Sequence, residues 1–366
     1  MKFITNTKPL SDSLDLGVIN ANISNFHKKS TIAQITATKD TLRINLEASM
    51  LCSEIVLKGS GDEDVKKSIF VGSLLLKQLV STLESPTVTL EFADGGLIIH
   101  SGKSKFTLPK MVDEDELDLR APEIPEYSAP EIDVDKSDWK FIKDNQMFAI
   151  AMSFIHPVYT KVWIGESGDV IVGDFDNSLF THSKRGKLGK TCLLSDTIVN
   201  LFTSIPEGSK IVQLDRDYLI RYSSDSFSYV SQFTPLYEDD ENVGSYNSEI
   251  FLNMMVHPDK YVTAEAPVIS KFLNQADMLS STSEDVIKFE VSDGVISLKD
   301  SNVDCKLDVK GVCDNFGLEF KSESLRRVMT NYDDSSVNIA PMVSEGEVAG
   351  ILVWDDNLTT LVAGVE

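Results

Sequence analysis

Residues 71–108 read VGSLLLKQLVSTLESPTVTLEFADGGLIIHSGKSKFTL, and this stretch decides the fold. Its first part, residues 73–83, repeats apolar side chains every three or four positions, which predicts a helix with one apolar face. Its second part alternates apolar and polar residues in three short runs, which predicts an antiparallel meander. The sequence Asp94-Gly95-Gly96 supplies the turn between the first two runs. The apolar stripe of the helix consists of Leu75, Leu76, Leu79, Val80 and Leu83.

The same order of helix, turn and strands occurs twice more, at residues 194–231 and 320–363. Leu79, Leu201 and Val328 occupy the same helix position in the three copies, so the copies are 122 and 127 residues apart. Three units of this spacing fill the 366 residues. A single core rarely extends over so long a chain, which agrees with several domains of similar size.

Each third of the chain is predicted to contain two related halves, and each half is a helix followed by strands. This pattern predicts the α+β class, with helices on one face of antiparallel sheets. An exposed sheet edge can pair with another copy, and symmetry can close such pairing into a ring. We predict domains at residues 1–121, 122–252 and 253–366, with an acidic, proline-containing linker at 110–138.

The net charge of −23 would ordinarily argue against nucleic acid as a partner. Much of the acid lies in short runs such as 113–118 and 238–241, which are typical of solvated loops. A locally basic surface can coexist with an acidic exterior. The four cysteines stand singly, and the N-terminus lacks the apolar core of a secretion signal. We therefore expect a cytoplasmic protein, in a bacterial cell or in the cytoplasm of a phage-infected host.

Four segments in a fixed order carry a family resemblance: SGKSKFTL at 101–108, HPDKYVTA at 257–264, FLNQADMLS at 272–280, and the paired strands within 285–298. With these segments the whole chain resembles the bacterial-type DNA polymerase III beta subunit, the sliding clamp, and a phage-encoded or divergent member would fit. The resemblance implies three repeated clamp domains per chain, with sheets outside and helices lining an inner ring surface.

In function, the resemblance implies a processivity factor that is a head-to-tail homodimer. Such a ring encircles double-stranded DNA without regard to sequence, is placed there by a clamp loader, and tethers the replicative polymerase and other replication proteins. It implies no membrane partner, no cofactor and no metal.

Sliding requires phosphate contacts that work at any register, and lysine and arginine provide them. Cations recur on the predicted helices away from the apolar stripes, although a solvated helix face is the alternative for each. The resemblance implies a DNA-contacting loop after residue 155, and burial of its tyrosine is the alternative. The basic run KRGKLGK at 184–190 is interpreted as an exposed hairpin that contacts DNA phosphates, and a solvated turn is the alternative. This run is not a phosphate-binding P-loop, because Lys184 stands where the motif needs glycine. The candidate DNA-binding residues are Lys28, Lys29, Lys77, Lys140, Lys143, Tyr159, Lys161, Lys184, Arg185, Lys271, Arg326 and Arg327.

The resemblance also implies a groove between the second and third domains that binds short apolar peptides of polymerases and loaders. Methionine-rich apolar surfaces suit such binding, and ordinary core packing is the alternative for each residue. The matching positions are Val172, Gly173, Phe175, Leu179, Leu252, Met254, Met255, Leu361, Val362, Ala363 and Val365.

For ring closure, the resemblance places Phe106 and Leu108, on an edge of the first domain, against Met278 and Leu279 of the third. Packing of Phe106 within its own domain is the alternative. Lysines near the first edge would meet acidic positions across the interface and help to specify the pairing.

No enzymatic motif is present. The five histidines are scattered, and neither an HExxH nor a GxSxG sequence occurs. We predict that the protein is not an enzyme. Two alternatives stay open beside the clamp: a repeat-built β-rich structural or assembly protein, such as a phage component that never binds DNA, and a monomeric processivity factor that binds DNA without encircling it.

Overall fold

The structure, a computed structural model, describes residues 1–18, 31–48, 51–112, 117, 119–125, 129–150, 160–174, 179–237, 240, 248–279, 286–300, 304–332 and 335–365. Within these ranges the helices are α1 (Thr7–Gly17), α2 (Ser73–Ser81), α3 (Lys136–Asn145), α4 (Asp196–Ser204), α5 (Ser248–Met254), α6 (Ala266–Leu279) and α7 (Ser322–Thr330). No helix in these ranges is long and apolar enough to cross a membrane.

Twenty-six strands are described. The first thirteen are β1 (Lys2–Asn6), β2 (Ile32–Ala37), β3 (Thr41–Ala48), β4 (Leu51–Lys58), β5 (Ser60–Gly61), β6 (Lys67–Gly72), β7 (Thr87–Ala93), β8 (Gly96–Ser101), β9 (Ser104–Pro109), β10 (Glu131–Asp133), β11 (Lys161–Ile164), β12 (Val170–Asp174) and β13 (Leu179–Ser183). The others are β14 (Cys192–Ser195), β15 (Lys210–Gln213), β16 (Tyr218–Ser223), β17 (Phe227–Phe233), β18 (Val262–Glu265), β19 (Val286–Ser292), β20 (Val295–Lys299), β21 (Asp304–Asp308), β22 (Lys310–Gly311), β23 (Phe316–Lys321), β24 (Ser336–Ser344), β25 (Glu347–Trp354) and β26 (Thr359–Ala363).

Nearly all of these strands belong to six antiparallel groups of four strands. In each group three strands that are consecutive in the chain lie side by side, and a flanking strand pairs with the first of the three. We call each group a four-strand unit, and we call the last of its three consecutive strands the third strand. The six orders are β6-β2-β3-β4, β14-β11-β12-β13, β23-β19-β20-β21, β1-β7-β8-β9, β10-β15-β16-β17 and β18-β24-β25-β26. The predicted α+β class with helices on antiparallel sheets is confirmed, and each predicted third contains two units.

Four of the units are joined in pairs through their third strands. Strand β4 pairs with β17 to make an eight-stranded sheet, and β13 pairs with β26 to make a nine-stranded sheet that also includes β22. The other two units form a five-stranded sheet, which includes β5, and a four-stranded sheet. Their third strands, β9 and β21, are edge strands among the described residues.

The chain divides into two compact units that cut across the predicted second domain. Unit 1 comprises residues 1–136 and 197–235, and unit 2 comprises residues 137–196 and 236–366. The paired third strands explain this division, because each joint sheet lies within one compact unit. The division into three domains at 1–121, 122–252 and 253–366 stays a prediction.

Most sequence-based elements agree with the structure, and two differ. The apolar pattern predicts that the helix opening the second third extends over residues 139–155, but helix α3 ends at Asn145. The next residue, Gln146, has φ −122° and a fully buried amide that bonds the carbonyl of Val170 and the hydroxyls of Thr181 and Ser183. These sheet contacts replace continuation of the helix.

The second difference is the apolar face of α2. Leu76 and Val80 are buried as predicted, whereas the Leu75 side chain is 50% exposed. The buried positions of α2 are Ser73, Leu76 and Val80, so the core-facing stripe is narrower than the sequence suggests and Leu75 lies outside it.

Candidate functional site

In unit 1, the predicted DNA-binding cation of α2 is engaged by a carboxylate of the neighbouring helix. The Nζ atom of Lys77 lies 3.1 Å from Oδ1 of Asp15 on α1. The lysine side chain is 28% exposed and the aspartate 56%. A phosphate would have to compete with Asp15 for this ammonium group.

The arginines of α7 also have partners within unit 2. Arg326 forms an ion pair with Asp277 on α6, and the two helices pack together. Arg327 donates a hydrogen bond to the backbone carbonyl of Phe148. Both arginines are only half exposed. Arg326 and Arg327 therefore have intramolecular partners, and their DNA-binding role stays a prediction.

Three of the predicted cations are exposed on helices. Trp139 and Ile142 are the buried residues of α3, while Lys140 and Lys143 lie on its exposed side. Lys271 is exposed in the same way on α6. These three ammonium groups, all in unit 2, are the predicted helix cations that are most accessible to a phosphate backbone.

The basic run at 184–190 connects β13 to β14 and does not precede a helix, as expected for a segment that is not a P-loop. Arg185 is fixed: its guanidinium lies 4.3 Å from the centroid of the Phe141 ring and bonds Asp138 at 3.2 Å and Asn357 at 2.6 Å. Leu188 is fully buried. Lys184 is exposed, whereas the Arg185 side chain is held by these contacts and is 31% exposed.

Some predicted residues cannot be placed. Lys28, Lys29, Tyr159 and Phe175 lie outside the described residues. Lys161 begins β11 and is half exposed.

Next to the basic loop, two histidines line a cleft in unit 2. Nε2 of His182 lies 2.8 Å from Oδ1 of Asp169. Burial alone would raise the pKa of Asp169, but hydrogen bonds from Ser167 and His182 lower it overall. His257 stacks on Trp354 at 4.6 Å and bonds the Thr359 hydroxyl at 2.7 Å. Burial, with the nearby charge of His182, lowers the pKa of His257.

The predicted peptide-groove residues fall into two groups. Most of them are core: Met255 is 4% exposed, Leu361 is 2% exposed, and Val172, Leu179 and Val362 are fully buried. Gly173 is buried, and a Cβ added there would lie 2.2 Å from the Phe180 ring. Leu252 and Met254 are partly buried against the apolar cluster beneath α5. These positions are packed in or against the core of unit 2, and their role in peptide binding stays a prediction.

The second group, Ala363 and Val365, lines a groove of about 840 Å³ at the C-terminal end of unit 2. The groove lies between the β24–β25 hairpin, the segment from β23 into α7, and the C-terminal residues. Its residues are Leu318, Lys321, Ser324, Ser344, Glu345, Glu347, Val348, Ala349, Ala363, Gly364 and Val365. Sequence reasoning identified only the C-terminal side of it, since the hairpin and α7 are distant in the chain.

Two of the predicted ring-interface residues lie on the edge strand β9, and the other two lie at the end of α6. Phe106 on β9 is half buried, and Leu108 is 4% exposed, so Leu108 belongs mainly to the core of its own sheet. Met278, at the end of α6, is 84% exposed. The side chain of Leu279 is outside the described set. Sequence reasoning missed Leu74 and Leu75 of α2, which are 36% and 50% exposed.

No protein-family model matches the sequence, and no curated protein matches it. Solved structures do match. The DNA polymerase sliding clamp from Caulobacter crescentus is 16% identical with a TM-score of 0.76, covering 100% of both chains. The DNA polymerase III beta subunit from Thermotoga maritima is 14% identical with a TM-score of 0.76, covering 100% of this chain and 99% of that one.

The DNA polymerase sliding clamp from Bacillus subtilis is 18% identical with a TM-score of 0.74, again covering 100% of this chain and 99% of that one. At such low identity the agreement concerns the fold, and it extends over the full length. The fold implied by the sequence resemblance is confirmed: this chain has the fold of the bacterial DNA polymerase III beta subunits, the sliding clamps.

Proposed function

We propose that two copies of this chain close head to tail into a ring that encircles duplex DNA, is placed there by a clamp loader, and holds the replicative polymerase on its template. The observation that carries this proposal is the pairing rule of the four-strand units. Third strand pairs with third strand in both joint sheets, β4 with β17 and β13 with β26. The remaining third strands, β9 and β21, are edge strands, and the same rule pairs β9 of one copy with β21 of another.

Burial and charge select one register for this pairing. On β9, Phe106 and Leu108 face the side of the buried residues Ile99 and Leu97. On β21, Cys305 and Leu307 lie opposite the buried residues Leu298 and Ile296. A continuous core face therefore requires Phe106 or Leu108 to lie opposite Cys305 or Leu307.

Three registers satisfy this condition. Placing Phe106 opposite Leu307 puts Lys105 opposite Asp308, an attractive pair. Shifting by two residues in either direction puts Lys105 opposite Lys306 or Lys310, which is repulsive. The register with Lys105 opposite Asp308 is therefore favoured, and the exposed Met278 and Leu75 supply further apolar surface for association.

A charge swap tests ring closure. Lys105→Glu and Asp308→Lys should each shift the protein from twice the chain mass of 40.5 kDa toward monomer, measured by light scattering. The double variant restores opposite charges in the head-to-tail contact and should restore the dimer. Lys67→Glu, at an exposed lysine of the edge strand β6, is the control and should leave the mass unchanged. A wild-type monomer at micromolar concentration would refute the ring.

Encirclement is tested by DNA topology. Protein bound to circular duplex should dissociate when a restriction enzyme linearises the circle, whereas simple affinity would survive cutting. Charge reversal of the exposed Lys140, Lys143 and Lys271 should shorten retention on circles more than Arg326→Glu, because Asp277 already engages Arg326. Asp15→Asn, which releases Lys77, should lengthen retention at low salt. Equal retention on circular and linear DNA would overturn the encirclement.

A further inference from the structure

The groove at the C-terminal end of unit 2 has a chemistry that restricts its occupant. Its half-buried floor is formed by Leu318, Val348, Ala349 and Ala363, which are apolar, and its base includes the buried Ser324. A volume of about 840 Å³ is in the range of pockets that bind drug-sized ligands. The floor therefore accepts small apolar side chains.

The rim of the groove is acidic. Glu345 and Glu347 are exposed carboxylates on the β24–β25 hairpin, and Lys321 is the single cation among the lining residues. Ser344 directly precedes Glu345 in the chain and is also exposed. The surplus of one negative charge in the lining attracts a cationic ligand.

The backbone at the tip of this hairpin supports a role for the Glu345 side chain. Glu345 and Gly346 form a two-residue turn with φ of 54° and 89°. Such turns favour Asn-Gly or Asp-Gly, because short polar side chains tolerate positive φ. The β19–β20 turn follows this rule with Asp293 and Gly294, at φ of 51° and 80°. Of these two turns, the one that borders the groove carries the longer side chain.

We infer that this groove binds an extended peptide in which basic residues alternate with small or medium apolar ones. In an extended chain successive side chains point to opposite sides, so apolar residues reach the floor while lysine or arginine meets Glu345 and Glu347. This inference rests on the proposed tethering function and specifies the chemistry of the segment that a partner protein would insert.

Fluorescence anisotropy on the full chain tests the inference with two fluorescein-labelled hexapeptides, one of alternating lysine and leucine and one of alternating glutamate and leucine. The lysine peptide should bind at least tenfold more tightly at low salt, and added salt should reduce the difference. Glu345→Gln and Glu347→Gln should each weaken the lysine peptide several-fold. Ala363→Trp, which fills the floor, should abolish binding and so locates the peptide.

Asp293→Asn is the matched control, because it neutralises the same position of the equivalent turn outside the groove and should leave peptide binding unchanged. Circular dichroism verifies that each variant folds. Equal affinity for the two peptides, no effect of either glutamate variant, or no binding of the lysine peptide would each overturn the inference.

The ring proposal is judged separately, by chain mass and retention on circular DNA, which Glu345→Gln should not alter. A chain that retains DNA but shows no charge preference refutes only the peptide chemistry. A chain that prefers the lysine peptide but never retains circles refutes only the ring.

Discussion

The two sheet junctions of this chain perform the same task with different side chains. At the β4–β17 junction in unit 1, the buried hydroxyls of Ser53 and Ser231 lie 3.0 Å apart. The adjacent pair is Cys52 and Gln232, and the Gln232 amide accepts a hydrogen bond from the Glu123 backbone at 2.7 Å and donates one to Asp217 at 2.6 Å. Polar side chains therefore occupy both faces of this junction.

The β13–β26 junction in unit 2 also has buried hydroxyls on one face, but these bond Val172 and Tyr332 rather than each other, and its other face is apolar. Thr181 and Thr360 are register partners and are fully buried. Their neighbours, Phe180 and Leu361, belong to an apolar cluster, and Phe251 of α5 stacks on Phe180 at 4.8 Å.

The comparison shows that the backbone hydrogen bonds between paired strands do not by themselves determine which side chains stabilise a junction. Buried hydroxyls favour a partner that returns a hydrogen bond, since an unpaired buried polar group is unfavourable. Apolar covering supplies more free energy but less selectivity. We therefore expect the unit 2 junction to be the more sensitive to truncation, and the unit 1 junction to depend on matched polar pairs.

The largest expected effect is at Phe251. Phe251→Ala removes a side chain that is only 7% exposed, and should lower the free energy of unfolding by about 3 kcal/mol through lost burial and the remaining cavity. Urea denaturation followed by tryptophan fluorescence measures this in unit 2 specifically, since Trp139, Trp163 and Trp354 all lie there. Ile250→Ala, at a 53% exposed position of the same helix, is the control. A loss below about 1 kcal/mol for Phe251→Ala would contradict the assigned role of the apolar face.

A smaller effect is expected at the polar junction. Ser53→Ala and Ser231→Ala should each destabilise the protein by about 1 kcal/mol, because each leaves a buried hydroxyl with fewer partners. The double variant should lose less than the sum of the two, with a coupling of about 0.5 kcal/mol or more. Hydrogen exchange at the amides of β4 and β17 reports on this junction, and Ser226→Ala in an exposed turn is the control. Strict additivity would show that the two hydroxyls do not act as a pair.

The smallest expected effect is a pH dependence of stability, which arises beside the unit 2 junction. His257 borders the unit 2 junction through Thr359, and its pKa in the folded state is lowered by burial. The unfolded chain therefore binds more protons just below the ordinary pKa of about 6.5, so stability is lost as pH falls through that value. The loss should be below about 1 kcal/mol, since the ring is partly exposed.

His257→Gln retains a hydrogen-bonding side chain without the titration. It should flatten the pH dependence of the tryptophan-detected unfolding midpoint between pH 7.5 and 5. His182, Lys184, Asp355 and Asp356 line the same cleft and remain in the variant. An unchanged pH profile in His257→Gln would contradict the assignment of the pH dependence to His257.

Local pattern predicted most elements. Alternation of apolar residues indicates which side of a strand is buried, and 3.6-residue periodicity indicates the helices. The helix predicted at residues 73–83 accordingly begins at the first residue of α2 and ends two residues beyond its last residue, Ser81. The early end of α3 was not predictable, because it depends on bonds from Gln146 to strands distant in the chain. The exposure of Leu75 depends on the width of the face that packs on the sheet.

The same distinction between local pattern and distant contacts applies to the candidate sites. The types and positions of the cations were visible in the sequence, but the pairing of Lys77 with Asp15, Arg185 with Asp138, and Arg326 with Asp277 was not. Each pair joins residues on different elements, and only packing brings them within reach.

By itself, the sequence determined the repeat, the α+β class and a resemblance over the whole length, because these follow from local periodicity and the order of segments. Tertiary structure decided which third strands pair, which are left as edges, and which predicted contact residues are buried. Those outcomes depend on hydrogen bonds and packing between residues far apart in the chain. The fold also decided which predicted helix cations have acidic partners and which residues line the acidic groove.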